Sequence, residues 1–93
     1  MGYAWTRITT SQKVSKVACR LGSVVVTPNS ASTVTYVTLY DGESTSDPEI
    51  VTVMTDQGST KQVVFDPPVE AQRGLYAQAG SNFSEAVIQW EPM

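Results

Sequence analysis

The chain has 93 residues, with six basic and nine acidic side chains, one cysteine and no histidine. A chain this short is expected to hold one domain spanning residues 1–93, which buries only about 60–65% of its unfolded surface and gains from leaning on a partner. The residue types lacking here exclude a disulfide framework, a cysteine- or histidine-built zinc site and a Ser-His-Asp triad. The net charge of -3 argues against a nucleic-acid footprint.

In chain order, the N-terminus shows no basic segment followed by an apolar run, so no signal peptide is expected. No stretch nears the length of a membrane span. Gly2 and Thr6 fit the loose myristoylation pattern. No polybasic segment supports it, and we read an initiator Met followed by a small residue. Tyr3 to Thr10 alternates loosely, as an edge strand does. Lys13 to Thr27 reads as one long run with Val14, Val17, Cys19 and Leu21. Gly22-Ser23 within it predicts a bulge that changes register. Pro28-Asn29-Ser30 is a turn.

Thr33 to Tyr40 is rich in Thr, Val and Tyr, and its alternation slips near Tyr36-Val37, which predicts a second bulge. Asp41-Gly42 opens a polar loop that runs to Pro48. Glu49 to Met54 is a strand with Ile50, Thr52 and Met54 on one face. Gln57-Gly58-Ser59 is a turn, and Thr60 to Phe65 another strand. Asp66-Pro67-Pro68 is expected to break the ladder and form a loop. Leu75 to Ala79 alternates. Gly80-Ser81-Asn82 turns the chain into a last strand, Ser84 to Glu91, with Ala86, Ile88 and Trp90 facing one way. Asn82-Phe83-Ser84 matches a glycosylation sequon, read here as chance.

No segment carries the 3.6-residue period of a helix. The predicted fold is all-β: a single antiparallel β-sandwich of seven to eight short strands. A jelly roll and an immunoglobulin-like sandwich satisfy this pattern equally.

Candidate sites are few. Asp41, Glu43, Asp47 and Glu49 could supply oxygen ligands to Ca²⁺, but their spacing is not that of an EF-hand. A solvated polar loop explains them better, and no metal or other cofactor is expected. Cys19 alternates with Val17 and Leu21 and reads as a buried thiol, with no histidine to activate it. No activated nucleophile or Gly-rich phosphate loop occurs, so the chain is not expected to be an enzyme. Trp90 reads as core. Trp5, Tyr40 and Tyr76 are the candidate interface or ligand-stacking aromatics.

Val17 to Pro28, followed by Thr33 to Pro48, carries a resemblance, and most of it falls on Leu39-Tyr-Asp-Gly-Glu-Ser-Thr-Ser-Asp-Pro48 and Glu70-Ala-Gln-Arg-Gly-Leu-Tyr76. They resemble small β-rich structural proteins of tailed bacteriophages and prophages: capsid auxiliary or decoration proteins and minor head or tail components. The resemblance implies a non-enzymatic virion protein, assembled in the host cytoplasm and present in many copies. Its expected partners are further copies of itself and a phage capsid or tail lattice, with no nucleic acid and no membrane. The alternative function is a carbohydrate-binding or adhesin-type β-sandwich module, in which Trp5, Tyr40 and Tyr76 would form one exposed strip. The third possibility is a Ca²⁺-stabilised sandwich built on the acidic loop.

Overall fold

The computed structural model describes residues 3–93; Gly2 of the myristoylation pattern lies outside them. Eight strands follow one another with no helix among the described residues: β1 (Ala4–Ile8), β2 (Gln12–Ser15), β3 (Cys19–Pro28), β4 (Tyr36–Tyr40), β5 (Glu49–Met54), β6 (Lys61–Ala71), β7 (Leu75–Ala79) and β8 (Phe83–Pro92). They form two four-stranded antiparallel sheets, β1-β8-β3-β6 and β2-β7-β4-β5.

This order separates the two sandwiches that the sequence allowed. β1 pairs with β8, β2 with β7, β3 with β6 and β4 with β5. The chain is therefore a ribbon folded in half at the loop between β4 and β5. The ribbon is rolled up so that β3 also meets β8 and β4 also meets β7. Only β4 and β5 are neighbours both in sequence and in a sheet. That winding is a jelly roll, whereas an immunoglobulin-like sandwich places several consecutive strands side by side.

Bulges decide which side chains fill the core. Along β3, Cys19 and Leu21 are buried on odd numbers, but Val24 and Val26 are buried on even ones. The switch falls at Gly22, where the register shifts against both β6 and β8. One extra residue there turns both halves of the strand inward, as the Gly22-Ser23 pair predicted. Ile8, Val37, Leu39, Val53, Ala71, Leu75, Ala77, Ala86 and Ile88 complete the buried apolar cluster. β-Branched and aliphatic side chains of this size interdigitate between sheets spaced about 10 Å apart.

Several expected boundaries move. The run from Lys13 to Thr27 is two strands in opposite sheets, β2 and β3, joined across the bend at Lys16-Val17-Ala18. Val17, expected to alternate with the core residues, is 57% exposed at this corner. The Ser15 hydroxyl donates to the Val17 carbonyl at 2.8 Å and accepts from the Val17 N–H at 3.2 Å, which fixes the corner. The strand expected from Thr33 starts only at Tyr36, because Thr33 to Thr35 bond elsewhere. The Thr35 N–H donates to Thr55 Oγ1 and the Thr35 hydroxyl to the Ser81 carbonyl. The second bulge lies between Leu39 and Tyr40, not at Tyr36-Val37. It takes up Ile50, which packs toward the core instead of joining Thr52 and Met54 outside.

Asp66-Pro67-Pro68 interrupts pairing without ending the strand. Opposite the step from Leu21 to Ser23, the partner in β6 jumps from Val69 to Val64, so Phe65 to Pro68 form an excursion from the ladder. β6 is an edge strand, where prolines without an N–H leave few ladder bonds unmade.

Candidate functional site

The predicted aromatic trio does not form one strip. Trp5 stands on the outer face of the β1-β8-β3-β6 sheet, 68% exposed. Tyr40 and Tyr76 face each other on the outer side of the other sheet, half-buried, with ring centroids 6.4 Å apart and tilted by 54°. The Tyr40 hydroxyl donates to Gln78 Oε1 at 2.9 Å. This pair is a local packing contact between β4 and β7. Trp90 lies half-buried against the core, and its indole N–H donates to Thr6 Oγ1 at 3.0 Å.

The acidic loop is held by donors from the protein itself. Asp47 accepts the backbone N–H groups of Glu43 and Ser44 at 2.8 and 3.2 Å and meets the Arg73 guanidinium at 3.4 Å. The Glu43 N–H, helped by Ser44 and Arg73, holds the Asp47 carboxyl below the usual range. Glu43 pairs with Lys13 at 2.6 Å, and Asp41 accepts the Arg73 N–H at 2.8 Å. The loop is thereby tied to β2 and to the turn between β6 and β7. No cluster of three metal-ligating side chains occurs among the described residues. Cys19 is buried, and burial raises its thiol pKa against a lowering hydrogen bond with Ser15.

The sequence reading missed a different feature, on the outer face of the β1-β8-β3-β6 sheet. Register places Trp5 opposite Gln89, Gln89 opposite Ser23 and Ser23 opposite Val64. These four residues form one row that crosses all four strands. Its ends are apolar and exposed: Trp5 on β1, and Val64, 65% exposed, on β6. Its middle is polar, with the Ser23 hydroxyl donating to Gln89 Oε1 at 2.6 Å. Beside the row lies a cleft of about 330 Å³ whose lining includes Tyr3, Gly22, Gln62, Phe65, Asp66 and Gln89.

Two local features open this cleft. The excursion from Phe65 to Pro68 forms one wall. At the bulge, the Tyr3 ring packs on Gly22; a Cβ there would lie 2.7 Å from Tyr3 Cε2. Glycine thus lets the ring reach the sheet backbone. The bulge and the Pro-Pro break were both visible in the sequence. What brings them together is the β3–β6 pairing, a contact between residues more than 40 positions apart.

Comparison of the chain with protein-family models, with curated proteins and with solved structures returned no match in any of the three. A function must therefore be argued from the residues and their arrangement.

Proposed function

We propose that this chain is a non-enzymatic structural protein of a tailed-bacteriophage virion, a capsid decoration or auxiliary head protein present in many copies. The observation that carries the reading is that the two stretches with the phage-protein resemblance meet in space. Leu39 to Pro48 and Glu70 to Tyr76 are joined by Asp41 to the Arg73 N–H, by Asp47 to the Arg73 guanidinium and by the Tyr40–Tyr76 contact. The two stretches that carry most of the resemblance are thus in contact, while its third part, Val17 to Pro28, runs through β3 of the other sheet.

The winding and the surface support the same reading. Jelly rolls serve in viral capsid domains, and also in lectins, so topology alone does not choose between them. The domain is small, with apolar side chains exposed at Val17, Val34 and Met54. Contacts with neighbouring copies and with a lattice would cover such residues, and repetition multiplies weak contacts.

The test is the particle itself. Virions of the phage or induced prophage that encodes the chain are purified, and the protein is quantified by mass spectrometry against the major capsid protein. The reading predicts a fixed stoichiometry of many copies per particle, and binding of the purified protein to particles that lack it. Its absence from virions, with no affinity for heads or tails, would overturn the reading.

A further inference from the structure

We propose that the cleft on the outer face of the β1-β8-β3-β6 sheet binds a neutral saccharide, with Tyr3 as the apolar ring surface in its lining, Trp5 as a second one at its rim across from Gln89, and Gln62, Asp66 and Gln89 as the hydrogen-bonding groups. This inference is independent of the virion reading, since such a site could work on any scaffold.

The lining restricts the ligand chemistry. Among the described residues no lysine or arginine lines the cleft, so these side chains offer a phosphate, sulfate or carboxylate no counter-charge. Asp66 is its one ionisable carboxylate, too few for a hard cation that takes six to eight oxygens. The lining is mainly apolar, from Tyr3, Val64, Phe65 and Pro68, with the polar groups of Ser23, Gln62, Asp66 and Gln89 set among it. The remaining match is a neutral ligand with both polar edges and an apolar face.

A pyranose has that form. Each of its hydroxyls both donates and accepts, while its ring C–H groups present an apolar face. The cleft offers the complement. Ser23 occupies Gln89 Oε1, which leaves the two Nε2 N–H donors of Gln89 to meet ligand oxygens. Asp66 supplies acceptor oxygens only, and Gln62 supplies both kinds of group. Tyr3 is 41% exposed against Gly22, and Trp5 stands directly across the β1–β8 pair from Gln89. The volume of about 330 Å³ is at the small end of the range for small-molecule sites, about 300–1,000 Å³. It suits a short glycan unit. Because the cleft is small and open, affinity per copy is weak, and a multi-copy array would raise it through avidity.

The intact protein is applied to a printed glycan array. It is then titrated by ligand-observed NMR with neutral mono- and disaccharides at millimolar concentration. The inference predicts binding to one or more neutral glycans, with a change in Trp5 fluorescence. Asp66→Asn should weaken binding about tenfold or more, through loss of a charge-assisted acceptor. Gln62→Ala and Trp5→Ala should each weaken it several-fold, with unchanged melting temperatures. Gly22→Ala should displace the Tyr3 ring and weaken binding as well. Tyr76→Phe, on the opposite sheet, should leave it unchanged.

No neutral-glycan binding, or binding that survives both Asp66→Asn and Gln62→Ala, overturns the inference. So does selective binding of anionic glycans. Cleft resonances that shift with protein concentration in the absence of sugar would overturn it too, by assigning this face to contact with a second copy.

Discussion

Replacing Gly58 by alanine should destabilise the protein far more than replacing Gly22 by alanine. Gly58 has φ +69°, and its N–H donates to the Thr33 carbonyl at 2.8 Å. A Cβ there would lie 2.3 Å from the Ala31 carbonyl oxygen and within 3.0 Å of the Ala31 Cα. Those atoms are backbone and cannot rotate away. The left-handed conformation costs a residue with a Cβ roughly 1–2 kcal/mol. Pushing the turn off Ala31 also loses the hydrogen bond to Thr33, worth about 0.5–1.5 kcal/mol. The expected loss is therefore about 1.5–3.5 kcal/mol, a fall in Tm on the order of 10–20 °C for a domain of this size. At Gly22 the obstacle is the Tyr3 ring, which is 41% exposed and free to swing outward. That substitution should cost less than about 1 kcal/mol. Urea unfolding followed by tryptophan fluorescence measures both. A Gly58→Ala variant within 0.5 kcal/mol, roughly, of the parent would refute the reasoning, as would equal losses at the two glycines.

Other consequences follow from burial and charge. Leu39→Ala, at a fully buried position, should cost about 2–5 kcal/mol in the same assay, whereas Trp5→Ala should have little effect on stability. The lowered Asp47 pKa means that the folded state favours the carboxylate. Its contribution is present above the ordinary aspartate pKa and is lost as pH falls through the folded value. Stability should therefore decline below about pH 4, and an Asp47→Asn variant should show a shallower decline when unfolding is followed against pH. The Cys19 thiol, buried and raised in pKa, should react slowly with a chromogenic disulfide reagent in buffer and fast in denaturant. Fast reaction of the native protein would contradict the burial.

Much of the fold was legible because strands announce themselves locally. Alternation along Leu75 to Ala79 and through Ala86, Ile88 and Trp90 marked β7 and β8, and Gly22-Ser23 marked the bulge that turns β3 inward. The split between β2 and β3 was not legible. Val14, Val17, Cys19 and Leu21 read as one apolar run, and only the packing shows that Val17 is a corner. Nor did local pattern reveal that Thr35 spends its hydrogen bonds on Thr55 and Ser81, and Thr33 on Asn29, Ser30 and Gly58. Strand order is a long-range property, so jelly roll and immunoglobulin-like windings stayed equivalent until the β1–β8 and β2–β7 pairs were seen. The same holds for the candidate site. Tyr40 and Tyr76 looked like partners of Trp5 by composition, but sheet assignment puts them on the opposite face. Gln89, Ser23 and Val64 have no motif of their own and become a row with Trp5 only through register.

The proposed virion role requires this domain to work as one copy among many in a particle. Quantitative mass spectrometry of virions purified from cells that carry the gene tests that proposal most directly. The account predicts the chain at a constant, high ratio to the major capsid protein across preparations. Virions that contain none of it would contradict the account.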